Sequence, residues 1–178
     1  MLRSFKGVDR FTVGTVGQPG ERTFFLQFRS GNSLISASLE KSQVAAVAER
    51  LRYLLKEIRL ASPLLGKPSL FRDSLPLETP LLDEFRVGSI AIFYDEESEL
   101  IQIDLRALDL NSDEEEENEL AKLDNVEILR IFITSTQANI FQDRAELVIS
   151  AGRQPCPFCS LPIDPQGHLC ARANGYRR

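Results

Sequence analysis

The sequence has one histidine, three cysteines and no apolar run approaching the roughly 20 residues that would cross a bilayer. No membrane helix is expected, therefore, and behind Met1-Leu2-Arg3-Ser4-Phe5-Lys6-Gly7 there is no apolar segment that would read as a secretory signal. Cytoplasmic localisation is the expectation. The chain also lacks a broad basic face: its formal net charge is −5 and its pI about 5.1, which argues against a protein that coats nucleic acid by displacing phosphate counterions. All three cysteines lie in the last 23 residues, and their odd number fits a reduced compartment and a metal site better than a disulfide framework.

What remains is an ordinary globular composition. Hydrophobic residues make up 43% and charged residues 26% of 178 residues, with a mean hydropathy of −0.15. A chain of this length buries roughly 70% of its unfolded surface around a core of its own. The charge is unevenly spread. Residues 111–125 hold seven acids against Lys122, whereas residues 153–178 hold four arginines against Asp164.

Along the chain, Arg10 to Val16 alternates and is rich in β-branched residues, Gly17-Gln18-Pro19-Gly20 is a turn, and Thr23 to Phe28 resumes the alternation, which predicts a hairpin. A second turn at Ser30-Gly31-Asn32-Ser33 leads to a third strand over Leu34 to Leu39. The apolar period then lengthens to about 3.6, with Val44, Val47, Ala48, Leu51, Leu55 and Ile58 on one stripe of a helix over about 40 to 60. Residues 61–82 hold four of the nine prolines and no sustained period, so they read as a connector.

Beyond the connector the pattern recurs. Asp9-Arg10-Phe11-Thr12-Val13-Gly14-Thr15-Val16 matches Asp83-Glu84-Phe85-Arg86-Val87-Gly88-Ser89-Ile90, with identity at the Asp, Phe, Val and Gly positions. Strands follow at Ser89 to Tyr94, Glu99 to Arg106 and Val126 to Ile133, then a helix over about 135 to 151, whose Thr134 and Gln137 have capping-box spacing and whose C′ position suits Gly152. The predicted fold class is α+β: two β-meander-plus-helix repeats, strand–strand–strand–helix twice, followed by a zinc-bound C-terminal tail. The boundaries are a first repeat over 1–60, a Pro-rich connector over 61–82, a second repeat over 83–152 with an acidic loop at 111–125, and a tail over 153–178. Each meander has one apolar face that its helix can cover, and two such half-sandwiches are expected around a pseudo-twofold axis.

The tail carries the chemistry. Cys156-Pro157-Phe158-Cys159 is followed, after eight residues, by His168-Leu169-Cys170. Zn²⁺ prefers tetrahedral thiolate and imidazole ligands; a C-x-x-C turn brings two sulfurs to one ion, and the H-x-C pair supplies two more donors. Cys156, Cys159, His168 and Cys170 would close the shell, the structural rather than the catalytic pattern. Pro155, Pro157, Pro162 and Pro165 stiffen the intervening chain. Two other accounts stand beside this one: a redox-active Cys156–Cys159 disulfide, disfavoured because flanking prolines deny the motif its usual helix, and unrelated buried cysteines with a surface histidine.

Other features have ordinary explanations alongside functional ones. Gly14, Gly17 and Gly20 could cradle a phosphate, but no helix follows them, and a hairpin turn accounts for them. The acidic run could chelate Ca²⁺ or mimic a nucleic acid; a solvated loop accounts for it equally. Arg172, Asn174, Tyr176, Arg177 and Arg178 could present guanidinium groups and an aromatic ring to an anionic partner, or fold against the metal loop. No spacing of Ser, Lys or Glu marks an acid/base pair, and the sole histidine is committed to the metal.

The stretch from Gly152-Arg153 through Cys156-Pro157-x-Cys159, Pro162, Asp164-Pro165, Gly167-His168-x-Cys170 and Arg172-Ala173-Asn174-Gly175-Tyr176-Arg177-Arg178 resembles the C-terminal signature of an uncharacterised bacterial family, domain of unknown function 3090. The opening is similar too, at Phe11, Gly14 to Gly20, Arg22 to Gln27, Leu39-Glu40-Lys41 and Gln43-Val44. The resemblance covers nearly the whole chain. It implies an uncharacterised bacterial protein, chiefly of actinobacterial lineages, with kinase-like and phosphomutase-like gene neighbours, and it brings no activity. The expectation is a non-enzymatic binding or adaptor protein with an unknown protein partner. The rivals are an enzyme or sensor that takes a small anionic ligand, such as a phosphorylated one, in the crevice between the repeats, and nucleic-acid binding through the basic tail.

Overall fold

The computed structural model describes residues 1–65, 67–108, 126–152, 156–160, 163, 170 and 172. Among the described residues, seven strands and two long helices follow one another: β1 (Leu2–Phe5), β2 (Arg10–Val16), β3 (Thr23–Ser30), β4 (Ser33–Leu39), α1 (Lys41–Ala61), β5 (Asp83–Asp95), β6 (Leu100–Ala107), β7 (Ile128–Ile133) and α2 (Ser135–Ser150). After β1 the order is three strands and a helix, twice. The acidic stretch expected between β6 and β7 lies outside the described residues.

All seven strands join one sheet in the order β1-β7-β6-β5-β4-β3-β2. The expected pseudo-twofold packing of two half-sandwiches is not what forms. A twofold axis between the units would pair equivalent strands, whereas here the third strand of the first unit, β4, pairs in parallel with the first strand of the second, β5. The two meanders therefore succeed each other side by side in a single sheet. Short four-residue β1, which has no clear sequence pattern, adds in parallel to the far side of β7.

This topology forces the sheet to curl. β1 and β2 occupy opposite edges, and seven flat strands would separate them by about 29 Å at ~4.8 Å per strand. Residues 6–9, which link them, reach only about 18 Å even when extended. The edges accordingly approach, and the Phe5 and Phe28 rings, on β1 and β3, meet edge-on with centroids 5.0 Å apart.

The concave face holds the core. Cross-strand partners share a face, so Phe11, Val13, Leu26, Phe28, Ile35 and Ala37 line up inward in the first meander, and Ile101, Ile103, Leu105, Leu129, Ile131 and Ile133 in the second. Both helices fill the trough. α1 buries Val44, Val47, Ala48, Leu51, Leu54, Leu55 and Ile58, the expected stripe with Leu54 added. α2 buries Ala138, Phe141 and Ala145; the two alanines let it approach closely, and Phe141 packs on Phe11 with ring centroids 4.6 Å apart. Each large apolar side chain fully buried in this way contributes about 1.5–3 kcal/mol.

Local signals set the ends of these elements. Gly17 and Gly20, at φ 102° and 107°, take the left-handed conformations that the β2–β3 turn requires. Thr134 Oγ1 accepts from the Gln137 backbone N–H at 3.2 Å, and Gln137 Oε1 accepts from the Thr134 N–H at 2.8 Å, completing the predicted capping box. Gly152 follows the C-cap Ala151 without a positive φ, so α2 ends without a left-handed glycine.

The proline-rich stretch between α1 and β5 is an ordered strap across the convex face of the first meander. Leu77 sits directly on Gly14, where an added Cβ would lie 2.6 Å from Leu77 Cγ. Buried Gln27 donates to the Glu78 carbonyl at 3.0 Å and accepts from the Glu78 N–H at 2.8 Å, as a strand would. Arg29 pairs with the Glu78 carboxylate. Arg144, from α2, donates to the carbonyls of Val13, Asp73 and Leu75, which covers the open edge of β2 while fastening the strap. No described helix is long and apolar enough to cross a membrane.

Candidate metal centre

Beyond Gly152 the chain enters a tight turn over Pro157 to Cys159, closed by the Ser160 N–H donating to the Cys156 carbonyl at 2.8 Å. Ser160 takes a left-handed φ of 61° at its exit. This geometry brings the two cysteine side chains of the motif together, and Cys170 joins them. The sulfurs of Cys156, Cys159 and Cys170 all lie within 4.8 Å of one another. Cys156 and Cys170 are buried, Cys159 is half-buried, and none of the three is in a disulfide.

Distances identify what this cluster suits. The Cys156 and Cys170 sulfurs are 3.8 Å apart. A disulfide needs about 2.05 Å. Two sulfurs bound to one tetrahedral ion at about 2.3 Å sit roughly 3.8 Å apart, the edge of the tetrahedron. The separation thus suits a shared ion and not a bond. Among the described residues no helix starts at the C-x-x-C turn, so the setting of a redox motif is missing there too.

Electrostatics favour ligand-competent sulfur. Burial by itself would raise the Cys156 pKa, but it is outweighed by the backbone N–H groups of Cys159 and Phe158 and by the thiols of Cys159 and Cys170, and the value falls to about 6. Cys156 is therefore largely thiolate at neutral pH, the form that binds metal.

Arg172 donates from Nη1 to the Phe158 carbonyl at 3.2 Å. Its side chain thus holds the C-x-x-C turn. His168, Asn174, Tyr176, Arg177 and Arg178 lie outside the described residues.

Other residues singled out in the sequence find structural roles. Gly14 is the seat of Leu77, and Gly17 and Gly20 form a hairpin turn whose next element is β3, not a helix. Three positively charged side chains that the sequence did not group into a site, Arg22, Lys41 and Arg86, converge where the two strand–helix units meet. They come from different elements, so only the fold brings them together.

Comparison with known proteins gives one relationship. The model of a family described as protein of unknown function (DUF3090) matches residues 3–170, nearly the full chain and all three clustered cysteines. No curated protein and no solved structure matches.

Proposed function

The chain belongs to the DUF3090 family of proteins of unknown function, and from that premise we propose that it is a non-enzymatic binding or adaptor protein whose carboxyl segment is shaped by a structural Zn²⁺. The observation that carries this reading is the mutual approach of the three cysteine sulfurs within 4.8 Å. Thiolates are soft donors, and a tetrahedral set of sulfur with one imidazole nitrogen selects zinc among the common divalent metals. Cys156, Cys159 and Cys170 would supply three ligands and His168 the fourth. Four protein ligands leave no open position for water, so the ion's contribution is conformational: it ties a segment with little apolar content of its own to the end of α2.

The chain's own residues prepare the site. The N–H groups of Cys159 and Phe158 stabilise the Cys156 thiolate, and Arg172 braces the Phe158 carbonyl. A tail anchored in this manner presents Asn174, Tyr176, Arg177 and Arg178 to a protein partner from a fixed base. The two strand–strand–strand–helix units are read in the same proposal as copies of one duplicated unit that forms the platform.

The test is a pull-down from native cells with the full chain, with residues 153–178 removed, and with Cys159→Ser. A partner retained by the full chain and lost from both variants supports the reading. A partner retained equally by all three contradicts it.

A further inference from the structure

At the seam between the two units, the β2–β3 turn, the end of β4, the start of α1, β5 and the end of α2 enclose a cavity of about 410 Å³. That volume lies in the range of small-molecule sites. Its described lining is unbalanced in charge. Arg22, Lys41 and Arg86 face a single acid, Glu40, which pairs with Arg86. Lys41 makes no hydrogen bond or ion pair among the described residues. It is also the first residue of the 21-residue α1, whose positive dipole end adds to the field there.

Arg22 is only partly used. Its Nη1 donates to the Ala151 carbonyl at 2.8 Å, but its Nε–H is buried with no acceptor among the described residues. A buried cationic donor left unpaired is costly, and an anion in the cavity would relieve it. The same lining also includes the apolar side chains Phe24, Val148 and Ile149. Cations and hydrocarbon in one lining suit an amphiphilic molecule with a charged head.

We propose that this cavity binds a small organic phosphate, with the phosphoryl group on Arg22 and Lys41 and the organic part against Phe24 and Ile149. The charge count selects the class. Three cations against one carboxylate leave two positive charges, which a carboxylic acid neutralises by half and a phosphate monoester, at about −1.5 to −2 near neutral pH, neutralises almost fully. The planar fork of Arg22 matches phosphoryl oxygens, while Lys41 acts as a point charge. The described lining of this site shares no residue with the cysteine cluster, and its binding chemistry does not depend on which metal that cluster holds.

Isothermal titration of the full metal-loaded chain with inorganic phosphate and with ribose 5-phosphate tests the proposal. Saturable one-site binding is expected for both, tighter for the monoester because it alone reaches the apolar side chains. Arg22→Gln and Lys41→Gln should each weaken binding at least about tenfold, with unfolding midpoints of the unliganded variants unchanged. Lys41→Gln breaks no hydrogen bond or ion pair among the described residues, so it keeps the test valid if Arg22→Gln loosens Ala151. Lys56→Gln, the same charge change further along α1, should bind as the parent does. No saturation up to about 10 mM, equal loss in Lys56→Gln, or phosphate binding that the monoester does not share would overturn the assignment.

Discussion

Nε and Nη2 of Arg10 each meet a carboxylate oxygen of Asp73 at 2.9 Å, which joins the first residue of β2 to the strap 63 positions later in the chain. The carboxylate side chain is 4% exposed and the guanidinium 18%. Asp73 also accepts from the Leu75 N–H at 3.1 Å, so the pair fixes the local course of the strap as well as its position. Removing one partner of such a pair strands the other, and Asp73→Asn should destabilise the protein by about 2–3 kcal/mol, below the 3–5 typical of fully buried pairs because Arg10 keeps some water. Urea unfolding monitored by tyrosine fluorescence measures this.

The same carboxylate sets a pH dependence. Burial pushes the Asp73 pKa up, but its bonds to Arg10 and the Leu75 N–H prevail, and the folded value lies below the ordinary one. A group depressed in the folded state contributes stability that is whole above the unfolded value near 4 and is lost as pH falls through the folded value. As pH falls below about 4 the parent chain should therefore lose stability more steeply than Asp73→Asn. Parallel acid limbs in the two proteins would remove Asp73 from the account.

Arg144 is the second fastening of the strap. It donates to Val13, Asp73 and Leu75 carbonyls at 2.9–3.1 Å, and the Leu75 oxygen accepts from Arg10 as well. Arg144→Met keeps the apolar stem and removes every donor. A loss of about 2–4 kcal/mol is expected from leaving the Val13 and Asp73 carbonyls without this charged donor, the Leu75 carbonyl keeping Arg10. Hydrogen exchange should rise over residues 71–79 before it rises in α1, because the strap is held from outside the core.

Gly14 has no room for a side chain, since its missing Cβ would overlap Leu77. Gly14→Ala should cost about 1–3 kcal/mol through overpacking. Shortening the obstacle tests the cause: Leu77→Ala in the Gly14→Ala background should recover part of the loss, whereas independent effects would add.

These contacts explain which parts of the molecule were legible in the sequence. Val44 to Ile58 announced α1 because one apolar stripe at helical period records burial directly, and Thr134 with Gln137 announced the start of α2 because a cap is local. β1 gave no signal: four residues long, it is defined by pairing Leu2 to Phe5 with Ile128 to Ile131 at the other end of the chain. The strap looked like a plain connector because its partners, Arg10, Gln27 and Arg144, are far away in sequence and its prolines mask any period. The cysteines of the cluster were legible because C-x-x-C and H-x-C are short-range patterns with one dominant chemical meaning. Arg22, Lys41 and Arg86 were not, because none is near another in the sequence.

Cys159→Ser removes one donor from the cluster and leaves the sheet and both helices untouched. Metal content should fall well below one equivalent, and proteolysis should clip the chain after Gly152. The cooperative unfolding of the remainder should stay within about 1 kcal/mol of the parent. Loss of the whole transition would make the metal loop part of the core.

X-ray absorption at the zinc edge on untagged, reductively purified protein examines the metal claim itself. The account predicts one zinc per chain with three sulfur neighbours at about 2.3 Å and one nitrogen at about 2.0–2.1 Å. A shell of oxygens, or protein purified without stoichiometric metal, would contradict it.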